Sequence, residues 1–210
     1  MNSPMGPKPN RTRQNDPAGF RTRVLDVAAN LFQTHGYHAT SIKDVMQATD
    51  VSGGALHHHF PSKKQLALAV IQDRVAPAVR QTWIAPVLSA SSLEKGIAAV
   101  FREIIAGLES RGSVAGCPLN NLALELSLSD PDFRGAINAV FDEWQAAFAQ
   151  RIAATRGGTR LDRAKRMDAA AFIVSVYSGA MTLAKSAQST SPLRAAATVL
   201  SRWLRERDFS

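Results

Sequence analysis

Residues 40–66 constrain the fold more than any other segment, because they contain two short helical patterns separated by a tight turn. Thr40 or Ser41 is placed to cap the first helix, Ser52 is placed to cap the second, and Pro61 ends it. Apolar residues at helical spacing are expected to form a small core that fixes the angle between the two helices. These residues are Ile42, Val45, Val51, Leu56 and Phe60.

Helical spacing of apolar residues continues along the rest of the chain, and no useful stretch alternates with the period of a strand. Ser91, with Glu94 three residues later, has the pattern of a capping box. Pro77 and Pro86 are expected to bend or end the segments in which they lie. The sequence therefore predicts an all-α fold of about nine helices, without a sequence repeat.

Three parts are expected along the chain. Residues 1–15 are rich in Pro, Asn, Arg and Gly and are predicted to form a disordered basic arm. Arg11 and Arg13 in this arm are compatible with a nucleic-acid contact and equally with a solvated tail. Residues 16–72 are predicted to form a three-helix helix-turn-helix domain, and residues 73–210 a separate helical domain.

The net charge of +8 is concentrated toward the start of the chain. Residues 1–66 contain eight Lys and Arg against four Asp, whereas the remaining 144 residues hold the other +4. A polyanionic partner for this first third is the natural interpretation, although a merely soluble basic surface has the same composition.

Cys117 is the only cysteine, which excludes an internal disulfide and fits a reducing cytoplasm. No apolar run approaches the roughly 20 residues that cross a bilayer, so no membrane partner is expected. The first 15 residues lack the apolar segment of a secretory signal. We therefore expect a cytoplasmic protein.

The spacing of a helix, a short turn and a second helix lets the first helix brace the second across a DNA major groove. Small residues from Ser52 to Ala55 permit close backbone approach at the start of the second helix, where the helix dipole favours a phosphate. Lys63 is placed for a backbone phosphate. These features predict binding to double-stranded DNA.

The same segments resemble the signature of the tetracycline-repressor (TetR) family. The resemblance covers roughly residues 17–72. It is carried by Val-Leu-Asp-Val-Ala-Ala-Asn-Leu-Phe (24–32), Gly36 with Tyr37, Thr-Ser-Ile-Lys-Asp-Val (40–45) and Val-Ser-Gly-Gly-Ala-Leu-His-His-His-Phe-Pro-Ser-Lys (51–63).

This resemblance implies a cytoplasmic homodimer with an N-terminal DNA-binding domain and a C-terminal domain that binds a small-molecule inducer. Gly53 and Gly54 supply no side-chain hydrogen bonds, so base readout is expected to depend on the histidines, Lys43 and DNA shape. The DNA-binding positions carried onto this chain are Thr40, Ser41, Lys43, Ser52, Gly53, Gly54, Ala55, His57, His58, His59 and Lys63.

Three consecutive histidines, His57, His58 and His59, raise the question of a metal site. Neighbouring side chains on a helix point about 100° apart, so three consecutive imidazoles cannot face one ion. We expect no metal and no cofactor. Two of the histidines are expected to contact DNA while the third packs.

Residues 116–125 resemble a Gly-Cys-x-x-x-Asn-x-Ala-x-Glu segment found in one branch of TetR-family ligand domains. Two interpretations remain open for its polar residues, since Glu125 either lines a pocket or ties down a loop. The aromatic residues nearby line the pocket or form ordinary core. A pocket of this kind would suit a hydrophobic or aromatic inducer, and its expected residues are Phe101, Ile105, Cys117, Asn121, Glu125, Phe141, Trp144 and Tyr177.

Cys117 directly precedes a predicted helix, and a helix N-terminus lowers a thiol pKa. One hypothesis is that the thiol reacts with an electrophile or oxidant and so releases DNA. The other is that Cys117 is a small buried apolar residue.

Residues 162–206 are predicted to form two helices that meet a second copy of the chain in a four-helix bundle, unless both are internal to the monomer. The favoured function is a repressor released from a palindromic operator by an inducer. A Cys-dependent enzyme is disfavoured, since no histidine follows residue 66 to serve as its base. A non-specific architectural DNA protein is the remaining alternative.

Overall fold

The computed structural model describes residues 17–209, so the predicted arm, with Arg11 and Arg13, lies outside the described residues. Residues 17–209 form nine α-helices and contain no strand, which confirms the all-α prediction. The helices are α1 Pro17–His35, α2 Ile42–Thr49, α3 Gly53–His59, α4 at 63–89, α5 Leu93–Arg111, α6 Pro118–Leu126, α7 Pro131–Ala153, α8 Arg163–Ala187 and α9 Ser191–Glu206.

Helix α4 runs through Pro77 and Pro86 without breaking, so the expectation that these prolines end segments is wrong. A π-helical turn precedes each proline, at Ile71–Val75 and at Arg80–Ile84. The wider turn accommodates the proline ring and its missing N–H within a continuous helix. The predicted division at residue 72 therefore lies inside α4, and that division stays a prediction.

Serine side chains begin several of the helices. Ser41, Ser52 and Ser62 cap α2, α3 and α4 by accepting a hydrogen bond from the backbone three residues later. The capping box predicted at Ser91 is wrong by one residue, because Ser92 caps α5. Ser91 and Ser92 are both possible N-cap residues. In the structure α5 begins after Ser92, and its first residue, Leu93, is fully buried.

The helices form a head, α1–α3 with the start of α4, and a body that extends from the rest of α4 to α9. Helix α1 packs on α2 and α4 in the head, whereas α8 packs on α7 and α9, and α9 on α5, in the body. The head buries Val24, Leu25, Ala28, Phe32, Val45, Leu56, Phe60 and Leu66. The apolar stripes of the sequence thus become the interior of both parts.

Helix α8 is long and apolar enough to span a membrane by length and composition alone, which the sequence analysis did not anticipate. Its residues include Ile173, Val174, Tyr177 and Met181, which are buried against neighbouring helices of the body. Packing against α7 and α9 accounts for the buried part of this apolar character, whereas Phe172 and Leu183 of the same helix are exposed.

Candidate DNA-binding site

Capping interactions define where α2 begins and ends and where α3 begins. The Asp44 backbone N–H donates to Ser41 Oγ at 3.1 Å, and the Ser41 N–H donates to Asp44 Oδ2 at 2.7 Å. The Ser41 N–H and the Ser41 hydroxyl both donate to Asp44 Oδ2, and these two bonds hold the pKa of the Asp44 carboxyl below its usual value. Asp50 ends α2 in the left-handed conformation at φ 52°, and Ser52 then accepts from the Ala55 N–H.

The angle between the two helices is fixed by three buried side chains, Val45 from α2, Leu56 from α3 and Phe60 after it. Ile42 and Val51, which were predicted to be in the same core, are half-buried against it. Since each helix is anchored along one face, the opposite face of α3 is presented to solvent.

Seven of the eleven predicted DNA-binding residues are exposed, in α2, in α3 or at the caps of these helices. Gly54 has no heavy atom within 4 Å of the position that a Cβ would occupy, whereas a Cβ at Gly53 would lie 3.3 Å from Met46 Cε. The leading edge of α3 is therefore backbone that a partner can approach closely. The exposed residues of the predicted set are Ser41, Lys43, Ser52, Gly53, Gly54, His57 and His58, while Ala55 and His59 are half-buried.

One of the three histidines packs and two are exposed, while the DNA contacts predicted for His57 and His58 stay a prediction. The ring of His59 stacks on Phe20 of α1, with centroids 4.8 Å apart and planes 28° apart. His57 and His58 remain exposed. Across residues 17–209, no three His, Cys, Asp or Glu side chains are grouped as metal ligands.

Thr40 is a correction to the predicted set, because its side chain is buried and its hydroxyl donates to the Gly36 carbonyl at 2.7 Å. Its role is to hold the bend between α1 and α2. Lys63 is half-buried, with Nζ 3.4 Å from the His38 carbonyl and 4.1 Å from the centroid of the Tyr37 ring. Burial lowers the pKa of Lys63, while Glu125 and Asp44 oppose that shift.

The predicted ligand residues do not line a single cavity. Three of them are buried in an aromatic cluster, which consists of Trp83, Phe101, Trp144, Phe148 and Tyr177. The ring centroids of its contacting pairs are 4.5–6.3 Å apart. The place of Trp83 in this cluster was not predicted from the sequence. Trp83 lies four residues after Val79 and four before Val87, so it follows the buried stripe of α4.

Two surface grooves are lined by Ile105 and Phe141, the remaining apolar members of that set, and Phe101 of the cluster also lines one of them. Phe101 and Ile105 line a groove of about 390 Å³ between α5 and α9. Phe141 lines another of about 350 Å³ between α6, α7 and α8. The aromatic cluster itself is packed core.

Cys117 is buried, and burial raises the pKa of its thiol despite hydrogen bonds from the Asn120 and Leu119 N–H groups and from Tyr177. The expectation of a lowered pKa is wrong, because desolvation of the thiolate outweighs the favourable helix N-terminus.

The buried thiol leads to a testable prediction. At pH 8 the folded protein is expected to react with an aromatic disulfide reagent at least about tenfold more slowly than the unfolded chain, because both access and thiolate fraction are reduced. Release of the coloured thiol measures the rate, and the single cysteine makes its origin unambiguous. Equal rates for the two states would show that Cys117 is accessible and would revive the sensor hypothesis.

Asn121 and Glu125 line a third groove, of about 340 Å³ between α1 and α6, and both side chains contact the head, so their part in an inducer pocket stays a prediction. Glu125 accepts hydrogen bonds from the Tyr37 and His38 backbone N–H groups, and Asn121 donates to Gln33 Oε1 of α1. The alternative interpretation, in which Glu125 ties down a loop, agrees with the structure.

The braced pair α2–α3, with an exposed face on α3, defines a helix-turn-helix protein. Residues 24–70 match the family of bacterial regulatory proteins named tetR, and residues 94–199 match the C-terminal domain of LmrA/YxaF-like transcriptional regulators. The chain belongs to the TetR family of transcriptional regulators.

Relatives and solved structures agree with this assignment. The chain is 26% identical to the HTH-type transcriptional regulator LmrA of Bacillus subtilis, over 82% of this chain and 90% of that protein. It is 25% identical to the HTH-type transcriptional repressor DhaR of a Mycobacterium species, over 86% of this chain and 89% of that protein. A TetR transcriptional regulator from Chloroflexus aurantiacus is 31% identical, with a TM-score of 0.76 over 90% of this chain and 96% of that structure.

The family consists of regulators, so the chain is not an enzyme. The narrower branch predicted from the segment at 116–125 stays a prediction.

Proposed function

We propose that this regulator is a dimeric repressor that binds a near-palindromic operator through α3 and leaves it when an inducer binds the body. The observation that carries the proposal is the exposed edge of α3, which presents Ser52, Gly53, Gly54, His57 and His58 outward from a head anchored on its other face. Lys43 is exposed on α2, and Lys63 lies at the start of α4. The positive head, α1–α3 with the start of α4, would approach phosphates while α3 enters the major groove.

Helices α8 and α9 support the proposed homodimer through residues 162–206. Their large exposed apolar side chains are Phe172, Leu183 and Val199, with exposed fractions of 44%, 62% and 64%. Gly179, between Phe172 and Leu183, is exposed and has open space where a Cβ would point. An apolar face with a small residue at its centre suits close packing against a second copy.

The inducer proposed for the body is hydrophobic or aromatic. The cluster of Trp83, Phe101, Trp144, Phe148 and Tyr177 is the largest apolar aromatic group of the body. Trp144 Nε1 is buried without a hydrogen-bond partner among the described residues. A ligand that separates these rings and offers an acceptor to Trp144 would satisfy this donor.

The alternative of a redox or electrophile sensor acting through Cys117 gains no support from the burial of the thiol. We also propose a cytoplasmic location, a DNA-binding domain at 16–72 and a ligand-binding and dimerisation domain at 73–210, which would be usual for the family.

Selection from a randomised DNA library tests the repressor proposal. The wild-type protein is expected to enrich a two-fold symmetric sequence whose half-sites lie about one helical turn, or a multiple of it, apart. Its affinity should fall steeply as salt rises, since phosphate contacts release counterions. Duplexes of the same length and scrambled sequence serve as the control. Enrichment of no sequence, with equal binding to scrambled duplexes, would instead support a non-specific architectural protein.

A further inference from the structure

The histidines of this chain are confined to the head. All five lie between residues 35 and 59, and none follows in the body. Histidine is the side chain that ordinarily gains a positive charge between pH 8 and pH 5. Residues 17–72 carry five Lys and Arg against three Asp, a net charge of +2 with neutral histidines, and protonation of all five would raise it to +7. The charge that the head offers to DNA therefore depends strongly on its histidines.

Most of the fixed cations among residues 17–72 are engaged within the chain. Arg21 pairs with Asp73 at 2.7 Å, and Lys64 pairs with two carboxylates at the start of α7, also at 2.7 Å. Lys63 is half-buried against the bend between α1 and α2, where it contacts the Tyr37 ring. The exposed cations of residues 17–72 whose side chains form no hydrogen bond or ion pair with a described residue are Arg23 and Lys43.

His57 and His58 lie on the exposed edge of α3, and neither forms a hydrogen bond or an ion pair with another described residue. The ring of His58 contacts that of His59, with centroids 5.4 Å apart, and His59 stacks on Phe20 of α1. None of the carboxylates on the helices packed against α3 pairs with either exposed imidazole. The charged residues of those helices in the head are Arg21, Arg23 and Asp26 of α1, Lys43, Asp44 and Asp50 of α2, and Lys63 and Lys64 of α4.

The position of the two imidazoles along α3 suits contact with phosphates. His57 and His58 follow Gly53 by four and five residues, which is about 6–8 Å along a helix that rises about 1.5 Å per residue. The major groove is about 12 Å wide, so a helix whose first turn lies against base edges has its far end near the phosphates of the groove wall. An imidazolium there donates from both ring nitrogens and neutralises a phosphate, whereas a neutral imidazole has one donor and no charge.

We propose that His57 and His58 bind operator phosphates as imidazolium ions, so that DNA binding strengthens as the pH falls below about 7. The inference rests on the proposed function, since it supplies the charge with which the exposed edge of α3 would hold DNA. Phosphates favour the charged form of a nearby imidazole, and binding therefore takes up protons. A dimer would bring four such side chains to one operator.

Fluorescence anisotropy with a duplex selected by the wild-type protein tests this role at several salt concentrations. We expect the affinity at about pH 6 to be at least about tenfold higher than at about pH 8. The plot of log K against log salt should also be steeper at the lower pH, by about 0.9 for each phosphate gained. Urea unfolding at both pH values shows whether a change in stability accompanies the change in affinity.

Two double variants identify the source of the effect. His57→Gln with His58→Gln keeps polar side chains that cannot be protonated, and it should bind within about threefold of the wild type at pH 8 while losing most of the gain at pH 6. His57→Lys with His58→Lys carries permanent charges, and it should bind at pH 8 about as tightly as the wild type does at pH 6. His35→Gln is the control, because His35 is exposed at the end of α1 rather than on α3, and it should keep the full pH dependence.

Equal affinities and equal salt slopes at the two pH values in the wild-type protein would overturn the inference while leaving DNA binding intact. Full pH dependence in the glutamine variant would also overturn it, since the titrating charge would then lie elsewhere. A lysine variant that binds weakly at both pH values would show that the imidazoles read bases instead of holding phosphates. If the wild-type protein selects no sequence, the proposed function fails, and the same measurements on a random duplex still decide whether these histidines bind phosphates.

Discussion

Leu183→Glu is expected to convert the protein to a monomer at micromolar concentration and to lower its operator affinity at least about 100-fold, since bivalent contact contributes roughly 10²–10⁴. The side chain of Leu183 is 62% exposed on α8, so a glutamate there has solvent available in the isolated subunit. In a dimer that packs through α8 and α9, the same carboxylate would be buried against apolar surface without a partner. Light scattering gives the mass, and fluorescence anisotropy with the selected duplex gives the affinity.

Leu88→Glu is the matched control for this substitution. Leu88 is also an exposed leucine, at 41%, but it lies on α4 rather than on α8 or α9. This variant should keep the mass and the operator affinity of the wild type. A Leu183→Glu protein that remains dimeric would place the interface elsewhere and reject the assignment to residues 162–206.

Local rules predicted the head well. Serines at the N-caps, the turn at Asp50 and the apolar positions of α2 and α3 act over three to five residues, which is the range that sequence spacing describes. Errors arose where tertiary packing selected among equivalent local choices. Ser91 and Ser92 are both competent caps, and only the burial of Leu93 distinguishes them. Likewise, the π turns that carry α4 through its prolines have no local signature.

The candidate site in the body was less predictable, because its polar residues act over long sequence separations. Glu125 and Asn121 share one helix face, which the sequence indicated, but their partners lie 87 and 88 residues earlier in the chain. Cys117 illustrates a second difficulty, since a helix N-terminus and burial shift its pKa in opposite directions. The sequence gives the first of these influences, and only the fold gives the second.

Gly54→Leu is expected to leave folding nearly unchanged while lowering operator affinity at least about tenfold. No atom lies within 4 Å of the position of a Cβ at Gly54, so the leucine meets no neighbour in the folded head. Leucine also has the higher helix propensity, and the free energy of unfolding should stay within about 1 kcal/mol of the wild type or rise slightly. Gly53 is a poorer choice for this test, because a Cβ there approaches Met46.

The loss of affinity is expected because the first turn of α3 is the part proposed to approach the phosphates and base edges, where a leucine would hold the backbone N–H groups away from DNA. Gly135→Leu supplies the control, since Gly135 is an exposed glycine of α7 with equally open space around its Cβ position. Urea unfolding and anisotropy measured on both variants separate stability from binding. If the two variants bind the operator equally well, the leading edge of α3 does not contact DNA. In that case the loss of affinity expected for Gly54→Leu would be absent, and the reading surface would have to lie elsewhere on the head.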